Sequence, residues 1–195
     1  MVKLKYGNTN TFFLSGKDGG LLIDTDYAGT MPAFYKALKV AGISMTDVKY
    51  VLCTHYHPDH MGLVGQLAEQ GVRLLLVDTQ KEAVHFSDKI FAKDKLSTPV
   101  INEADAAVIS CAESRQFLSS LGISGEVIST PSHSSDSVSL VLDDGSCIVG
   151  DLDPYEYIEA YEDNEALKSD WEQIMSFKPK TIYASHRPER KIAMS

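Results

Sequence analysis

The stretch Thr54-His55-Tyr56-His57-Pro58-Asp59-His60 places three imidazoles and one carboxylate within six residues. Imidazole nitrogens and carboxylate oxygens are ligands that proteins offer to zinc and related metals, so this density predicts a metal site. Residues 48–53 are typical of a buried strand, and residues 62–70 of a helix that ends at Gly71. The cluster is therefore expected on a strand-to-helix loop, where α/β proteins tend to place their chemistry.

Size and composition predict an ordinary soluble globular protein. The chain has 195 residues, of which 44% are hydrophobic and 23% charged. That length suffices for one sizeable core, and no linker or low-complexity segment interrupts it, so residues 1–195 are expected to form a single domain. The net charge of −9 argues against a generic nucleic-acid binder and against docking on an anionic membrane.

The N-terminal residues and the cysteines predict that the protein resides in a reducing compartment. The first residues lack a long apolar run, and no stretch approaches the ~20 apolar residues that a membrane span needs. The three cysteines, Cys53, Cys111 and Cys147, are odd in number and widely spaced, which favours reduced thiols. We therefore expect a cytoplasmic protein with no membrane association.

Apolar periodicity predicts alternating strands and helices. A glycine-rich turn at 16–20 separates two β-prone runs and indicates a hairpin, and a helix over 31–41 should end at Gly42. Residues 93–110 are interpreted as an exposed excursion, with a flap over the site as one alternative. The remaining predicted strands are 10–15, 20–24, 72–77, 126–129, 137–142, 147–151 and 181–184, and the remaining predicted helices are 79–92, 113–121 and 164–175.

Two segments resemble each other in their pattern. Residues 21–24 and 147–151 each follow a hairpin turn, end a strand with an aspartate and lead towards a helix. This pattern favours an architecture of two similar halves.

Polar residues with metal-binding side chains recur at the ends of predicted strands. Of the three histidines outside the opening stretch, His133 and His186 each follow a strand, and Asp24 and Asp151 each end one. His85 lies within a predicted helix and is interpreted as a plain surface or half-buried residue. The shared location of the others predicts that they join the opening cluster.

The spacing within the cluster allows one loop to serve two metals. Residues two apart in an extended segment point the same way, so His55 and His57 can approach one metal together. Pro58 suits the first turn of a helix, and the bend would direct Asp59 and His60 towards a neighbouring position. Each metal needs further ligands, and the candidates are His133, Asp151 and His186.

Residues 55–60 resemble the HxHxDH signature of the metallo-β-lactamase-fold hydrolases. In chain order, Asp24 matches the first motif of that family, and His133, Asp151 and His186 match the third, fourth and fifth. Ser132 stands where the family often has glycine, as does Ser185. The resemblance implies an α/β fold, a four-layer αββα sandwich with the metal site at the edge between its two sheets.

The resemblance also implies a role for each matched residue. Asp151 would bridge two metals together with a water or hydroxide, and Asp24 would orient a ligand without touching a metal. Asp59 would be catalytic, because it could accept a hydrogen bond from the hydroxide and aim it. The other implied ligands are His55, His57 and His133 at the first metal, with Asp59, His60 and His186 at the second.

The implied activity is that of a metal-dependent hydrolase. Imidazole-rich sites suit zinc, with iron or manganese as alternatives, and two such cations make hydroxide available near neutral pH. The leading hypothesis is hydrolysis of a small ester, thioester or lactone. Alternatives are a phosphodiesterase or nuclease of the same fold, and a non-enzymatic metal-binding scaffold. A β-lactamase role is the least favoured, because no export signal is seen.

Partners and secondary residues are less constrained. A small-molecule substrate is expected, and a homodimer follows only from the general frequency of symmetric dimers. Tyr155, Tyr157 and Tyr161 could wall a pocket or simply pack. Arg187 could hold an anionic substrate group or be a solvated cation.

Overall fold

The computed structural model describes residues 1–96, 98–160 and 164–192. Within them, two β-sheets pack face to face and helices cover their outer faces, which confirms the αββα sandwich. The strands are β1 (Val2–Leu4), β2 (Thr11–Ser15), β3 (Gly20–Ile23), β4 (Val48–Leu52), β5 (Arg73–Val77), β6 (Ala107–Ile109), β7 (Gly125–Ser129), β8 (Val138–Leu142), β9 (Ser146–Ile148), β10 (Thr181–Tyr183) and β11 (Arg190–Lys191). The α-helices are α1 (Met31–Ala41), α2 (Pro58–Met61), α3 (Val64–Glu69), α4 (Asp88–Lys93), α5 (Cys111–Ser120), α6 (Tyr157–Ala160) and α7 (Glu165–Ser176).

Four strands of each sheet, β1–β4 in the first and β7–β10 in the second, repeat one topology. The first has the order β1-β2-β3-β4-β5-β6, and the second has the order β11-β10-β9-β8-β7. In each, an antiparallel hairpin (β2–β3 or β8–β9) is followed by a helix and a parallel strand. The two-half architecture is therefore confirmed, with α1 and α7 as the corresponding helices.

Strand alternation builds the layer between the sheets. Leu21 and Ile23 of β3 face the central cluster, whereas Leu22 between them faces the outer helices. On the opposite sheet, Leu140 of β8 points inwards and Val141 points towards α7. Because successive side chains of a strand point to opposite faces, one apolar run can serve two layers.

The helices form the outer layers as their apolar spacing predicts. Phe34 and Leu38 of α1 are buried against the first sheet, and α1 ends at Gly42, whose φ of 70° is left-handed. Trp171 and Ile174 of α7 are buried against the second sheet. The predicted helix over residues 31–41 is confirmed with the same bounds. Among the described residues, no helix is both long enough and apolar enough to traverse a lipid bilayer.

The continuous helix predicted over residues 79–92 is wrong. The segment forms a 3₁₀ helix, Asp78–Ala83, then a turn, and then α4. Tertiary hydrogen bonds override the helical pattern here: Gln80 Nε2 donates to the Cys53 carbonyl at 2.9 Å, and Ser87 Oγ donates to the Tyr56 carbonyl at 2.7 Å. Both bonds attach this segment to the histidine-rich loop.

Residues 98–106 do not lie over the histidine cluster. The Pro99 carbonyl packs against α3 so closely that a Cβ on Gly65 would lie 2.1 Å from it. Arg73, the first residue of β5, donates from Nε to the Asp105 carbonyl at 2.9 Å. The strands β4, β5 and β6 are parallel, so this segment enters β6 at the end of the sheet where these strands begin. The histidine-rich loop lies at the other end, where β4 finishes. The flap interpretation is therefore wrong for these residues.

We expect Leu140→Ala to lower the free energy of unfolding by about 2–5 kcal/mol, because it opens a cavity between the sheets. Leu140 is 1% exposed, whereas Val40 on α1 is 81% exposed. Val40→Ala is the control and should change stability by less than about 0.5 kcal/mol. Urea denaturation at matched metal content measures both; equal effects would contradict the placement of β8.

Candidate metal centre

The histidine-rich loop turns sharply where β4 ends and α2 begins. His57 is the N-cap of α2, with extended backbone, and Pro58 occupies the first helical position as predicted. The His60 backbone N–H donates to the His57 carbonyl at 3.0 Å, closing the turn. The residues before Pro58 are therefore extended and those after it are helical, which separates their side chains.

Three histidines meet on one side of the loop. His55 Nε2 lies 3.0 Å from His57 Nδ1, and His133 Nε2 lies 3.2 Å from the same atom. The candidate ligand atoms of this group all lie within 4.8 Å of one another. His133 arrives from the loop after β7, so two sheets contribute to the group.

A second group forms on the other side of the loop. His186 Nε2 lies 3.1 Å from Asp59 Oδ2, and His60 Nε2 lies 3.8 Å from that oxygen. These atoms also fall within 4.8 Å of one another. His186 follows β10, in the second sheet. The two groups have the membership that the family resemblance implied for two metals.

Asp151 lies between the two groups. Its Oδ2 is 3.4 Å from His60 Nε2 and 4.0 Å from His133 Nε2, and its Oδ1 is 3.3 Å from His186 Nε2. The preceding Gly150 has a φ of 57°, and a Cβ there would lie 2.5 Å from Thr54 Oγ1. Only glycine lets this turn approach the histidine-rich loop closely enough to deliver the carboxylate.

Asp24 lies beneath the centre and is fully buried. It accepts hydrogen bonds from the Thr54 backbone N–H (2.6 Å), Thr54 Oγ1 (2.8 Å), His60 Nδ1 (2.9 Å) and Ser185 Oγ (3.1 Å). Ser185, where glycine is common in the family, thus contributes a donor. Asp24 joins three loops and contacts one histidine of the centre, the position expected of an orienting residue.

Hydrogen bonds fix which ring nitrogen three of the five histidines present to the centre. His60 donates from Nδ1 to Asp24, and His186 donates from Nδ1 to the Asn8 carbonyl at 3.2 Å. His55 has Nδ1 3.2 Å from Thr54 Oγ1. In all three, Nε2 faces the cluster. His60 Nε2 is buried and has no hydrogen-bond partner among the described residues.

Histidines of the two groups have pKa values that are shifted in opposite directions, down at His55 and His133 and up at His60. Burial, reinforced by the neighbouring imidazoles, lowers the pKa of His55 to about 2, and burial also lowers the pKa of His133. Burial opposes a charge on His60 as well, but the Asp24 and Asp151 carboxylates outweigh it and raise its pKa to about 10. His55 and His133 therefore present neutral imidazoles to the first group, and positive charge is favoured on His60 beside the carboxylates of the second.

The donor set fits two divalent cations. A buried nitrogen without a hydrogen bond, converging neutral imidazoles and a carboxylate between the groups are features that a bound cation satisfies. Ligand histidines of metal sites typically donate their other N–H to a carboxylate or a carbonyl, as His60 and His186 do.

Sequence reasoning missed the residues that hold the loop from the side. Asp136 accepts the Tyr56 backbone N–H at 2.7 Å, and Gln80 donates from Nε2 to the Asp136 carbonyl at 3.1 Å. Thr9 Oγ1 donates to the Asp59 carbonyl at 2.7 Å. These are single polar residues far apart in sequence, and no spacing identified them.

Other residues singled out from the sequence lie outside the centre. Tyr56 is fully buried in the outer core, and Tyr155 packs edge-on against Trp171 with ring centroids 6.0 Å apart. Arg187 donates from Nη2 to the Leu152 carbonyl, so part of its guanidinium is occupied. His85 is exposed and contacts Asp88, as expected of a surface residue. Tyr161 lies outside the described residues.

A family comparison accounts for this arrangement. The model of the metallo-beta-lactamase superfamily matches residues 4–186. The protein belongs to the metallo-β-lactamase superfamily. The match covers every residue placed in the centre, and it confirms the resemblance seen in the HxHxDH stretch.

Three proteins similar to this superfamily member share about a quarter or less of its sequence. "Beta-lactamase-like protein 2 homolog" of Drosophila melanogaster is 25% identical over 181 residues, which cover 91% of this chain and 58% of that protein. A metallo-beta-lactamase family protein from Thermus thermophilus has a TM-score of 0.74 at 21% identity, covering 94% of this chain and 70% of the other. TTHA1623, solved in a di-iron-bound form, has a TM-score of 0.72 at 21% identity, covering 97% and 93%. The structural matches confirm the fold.

We expect Asp24→Asn to weaken metal binding by about 10- to 100-fold, because the amide is a poorer acceptor for His60 Nδ1. Asp88→Asn is the matched control, since Asp88 Oδ2 contacts His85 Nδ1 at 2.8 Å in an exposed position. Competition with a chromophoric chelator measures the affinity, and circular dichroism confirms the fold. Equal affinities for the two variants would contradict the role of Asp24.

Proposed function

We propose that this protein is a dinuclear metal-dependent hydrolase acting on a small ester, thioester or lactone. The observation that carries the proposal is the convergence of two three-residue ligand groups on Asp151, whose two oxygens approach histidines of both groups. A centre for one structural metal needs neither the second group nor a carboxylate shared between groups.

The residues divide into two proposed ligand sets. Two divalent cations bound there would polarise a carbonyl oxygen and make a nucleophilic water available near neutral pH. Zinc is the favoured metal because imidazoles dominate the donor set, with iron or manganese as alternatives; the di-iron form of TTHA1623 supports iron as a candidate. The sets are His55, His57 and His133 for the first metal, and Asp59, His60 and His186 for the second, with Asp151 common to both.

Asp59 is the proposed catalytic residue. Its backbone is held by Thr9 Oγ1, and its Oδ2 contacts His186 Nε2 at 3.1 Å. The side chain is 36% exposed, so it can receive a proton from the reacting water and release it to solvent.

A small-molecule substrate is preferred to nucleic acid. The net charge of −9 would repel a polyanion, and sequence-independent nucleic-acid binding rests on clustered Lys and Arg. Phosphodiester cleavage is therefore an alternative outcome of the substrate test below. Cytoplasmic location and a homodimeric state stay predictions from sequence.

Elemental analysis of protein purified without added metal should give close to two transition-metal ions per chain. We expect His133→Ala and His186→Ala each to reduce this number towards one, because each removes a ligand from a different group. His85→Ala is the control and should retain two. A protein that carries no metal after purification and binds none on titration would contradict the proposal.

A panel of small thioesters, esters, lactones, phosphodiesters and β-lactams should show turnover of the acyl compounds. A chelator should abolish this activity and a divalent cation should restore it, because the reacting water depends on the metals. Asp59→Asn should lower kcat by about 100-fold or more at matched metal content. Preferential turnover of phosphodiesters, or activity that resists the chelator, would overturn the assignment to acyl hydrolysis.

A further inference from the structure

A cavity of about 240 Å³ opens beside the metal centre. It lies between the 3₁₀ helix Asp78–Ala83 and the loop that carries His133. His57, a proposed ligand of the first metal, forms part of its wall, so the cavity adjoins the centre. Glu82, Ala83 and Phe86 form the side towards the 3₁₀ helix, and Ser135 lies on the opposite side.

Phe86 is an exposed aromatic ring held at the mouth of this cavity. Its side chain is 57% exposed, and its ring centroid lies 5.5 Å from that of His57. The turn that carries it is fixed, because the Phe86 N–H donates to the Ala83 carbonyl at 2.8 Å and the next residue, Ser87, is hydrogen-bonded to Tyr56. An aromatic ring on a fixed turn in the wall of a cavity is suited to contact with a ligand.

The charge around the cavity restricts what it can bind. Its charged wall residues are Glu82 and Asp136, and within the described part of the chain no Lys or Arg lines it. The Asp136 carboxylate is already occupied by the Tyr56 N–H at 2.7 Å. An anionic substituent reaching away from the metals would meet Glu82 with no Lys or Arg to balance it, whereas a neutral alkyl group could pack against Phe86 and Ala83.

We infer that this cavity receives the neutral, apolar part of the substrate, so that the substrates are short-chain acyl compounds without an anionic tail. The inference rests on the proposed function, because His57 links the cavity to the proposed metals. At ~30 Å³ for each water-sized group, the volume admits roughly eight such groups. A chain of about six carbons therefore fits.

Unbranched alkyl hydroxamates of two to six carbons test the cavity without turnover. The hydroxamate head binds the metals equally throughout the series, so differences report the chain alone. On zinc-loaded protein, calorimetry should show affinity rising about threefold to fourfold per methylene, as expected for burial of each CH₂. The six-carbon hydroxamate with a terminal carboxylate should lose most of this gain.

Three variants test whether the cavity causes the gain in affinity with chain length. Ala83→Phe fills the cavity and should abolish the gain from two to six carbons, and Phe86→Ala should reduce it by about tenfold or more. Phe177→Ala is the matched control, because Phe177 is 37% exposed at the end of α7, outside the cavity wall, and it should leave the gain unchanged. All variants should keep the wild-type metal content and affinity for the two-carbon hydroxamate.

The outcomes separate this inference from the proposed function. Affinity independent of chain length, a gain that survives Ala83→Phe, or preference for the carboxylate-tailed hydroxamate would each overturn the cavity assignment. If no substrate of the panel is hydrolysed but hydroxamate affinity still rises with chain length, the proposed hydrolase activity is overturned and the cavity stands as a binding site.

Discussion

The buried carboxylate of Asp24 is the interaction on which the centre depends. It accepts four hydrogen bonds from donors on two loops, one after β4 and one after β10. Its own backbone has a φ of 57°, a left-handed conformation that is uncommon outside glycine and that aspartate tolerates better than most residues. A buried carboxylate is stable only when its oxygens are satisfied, so Asp24 requires both loops to be in place together. The metal-binding geometry therefore forms with the tertiary structure.

The repeated topology explains why one short loop can meet ligands from so far along the chain. Each half ends a hairpin strand with a turn of left-handed backbone, at Asp24 in one half and at Gly150 in the other, both with φ of 57°. The Val138 N–H donates to the Thr54 carbonyl at 2.8 Å and joins the start of β8 to the histidine-rich loop. The two sheets thus meet at this edge, and each proposed metal takes ligands from both.

The residues that hold the candidate centre in place differ from those that line the neighbouring cavity. The ligand loops are bound to one another by buried hydrogen bonds from Asp24, Gln80 and Asp136, and this part of the molecule is rigidly specified. Beside it, Glu82 on the 3₁₀ helix and Phe86 on the following turn face solvent. Such a division lets one chemistry serve different substrates, because loops around a fixed centre can vary without disturbing it.

The sequence by itself determined the bounds of α1 and, through its resemblance to a known family, the fold class and the membership of both candidate ligand groups. The helix bounds follow from apolar periodicity and glycine at the helix end, and the resemblance rests on histidines and aspartates at strand ends in the order of that family. Tertiary structure alone decided the break between residues 83 and 88, the course of residues 98–106 and the supporting roles of Gln80 and Asp136. Each of these depends on a hydrogen bond or a close packing contact between segments distant in sequence, and local spacing carries no record of such pairs.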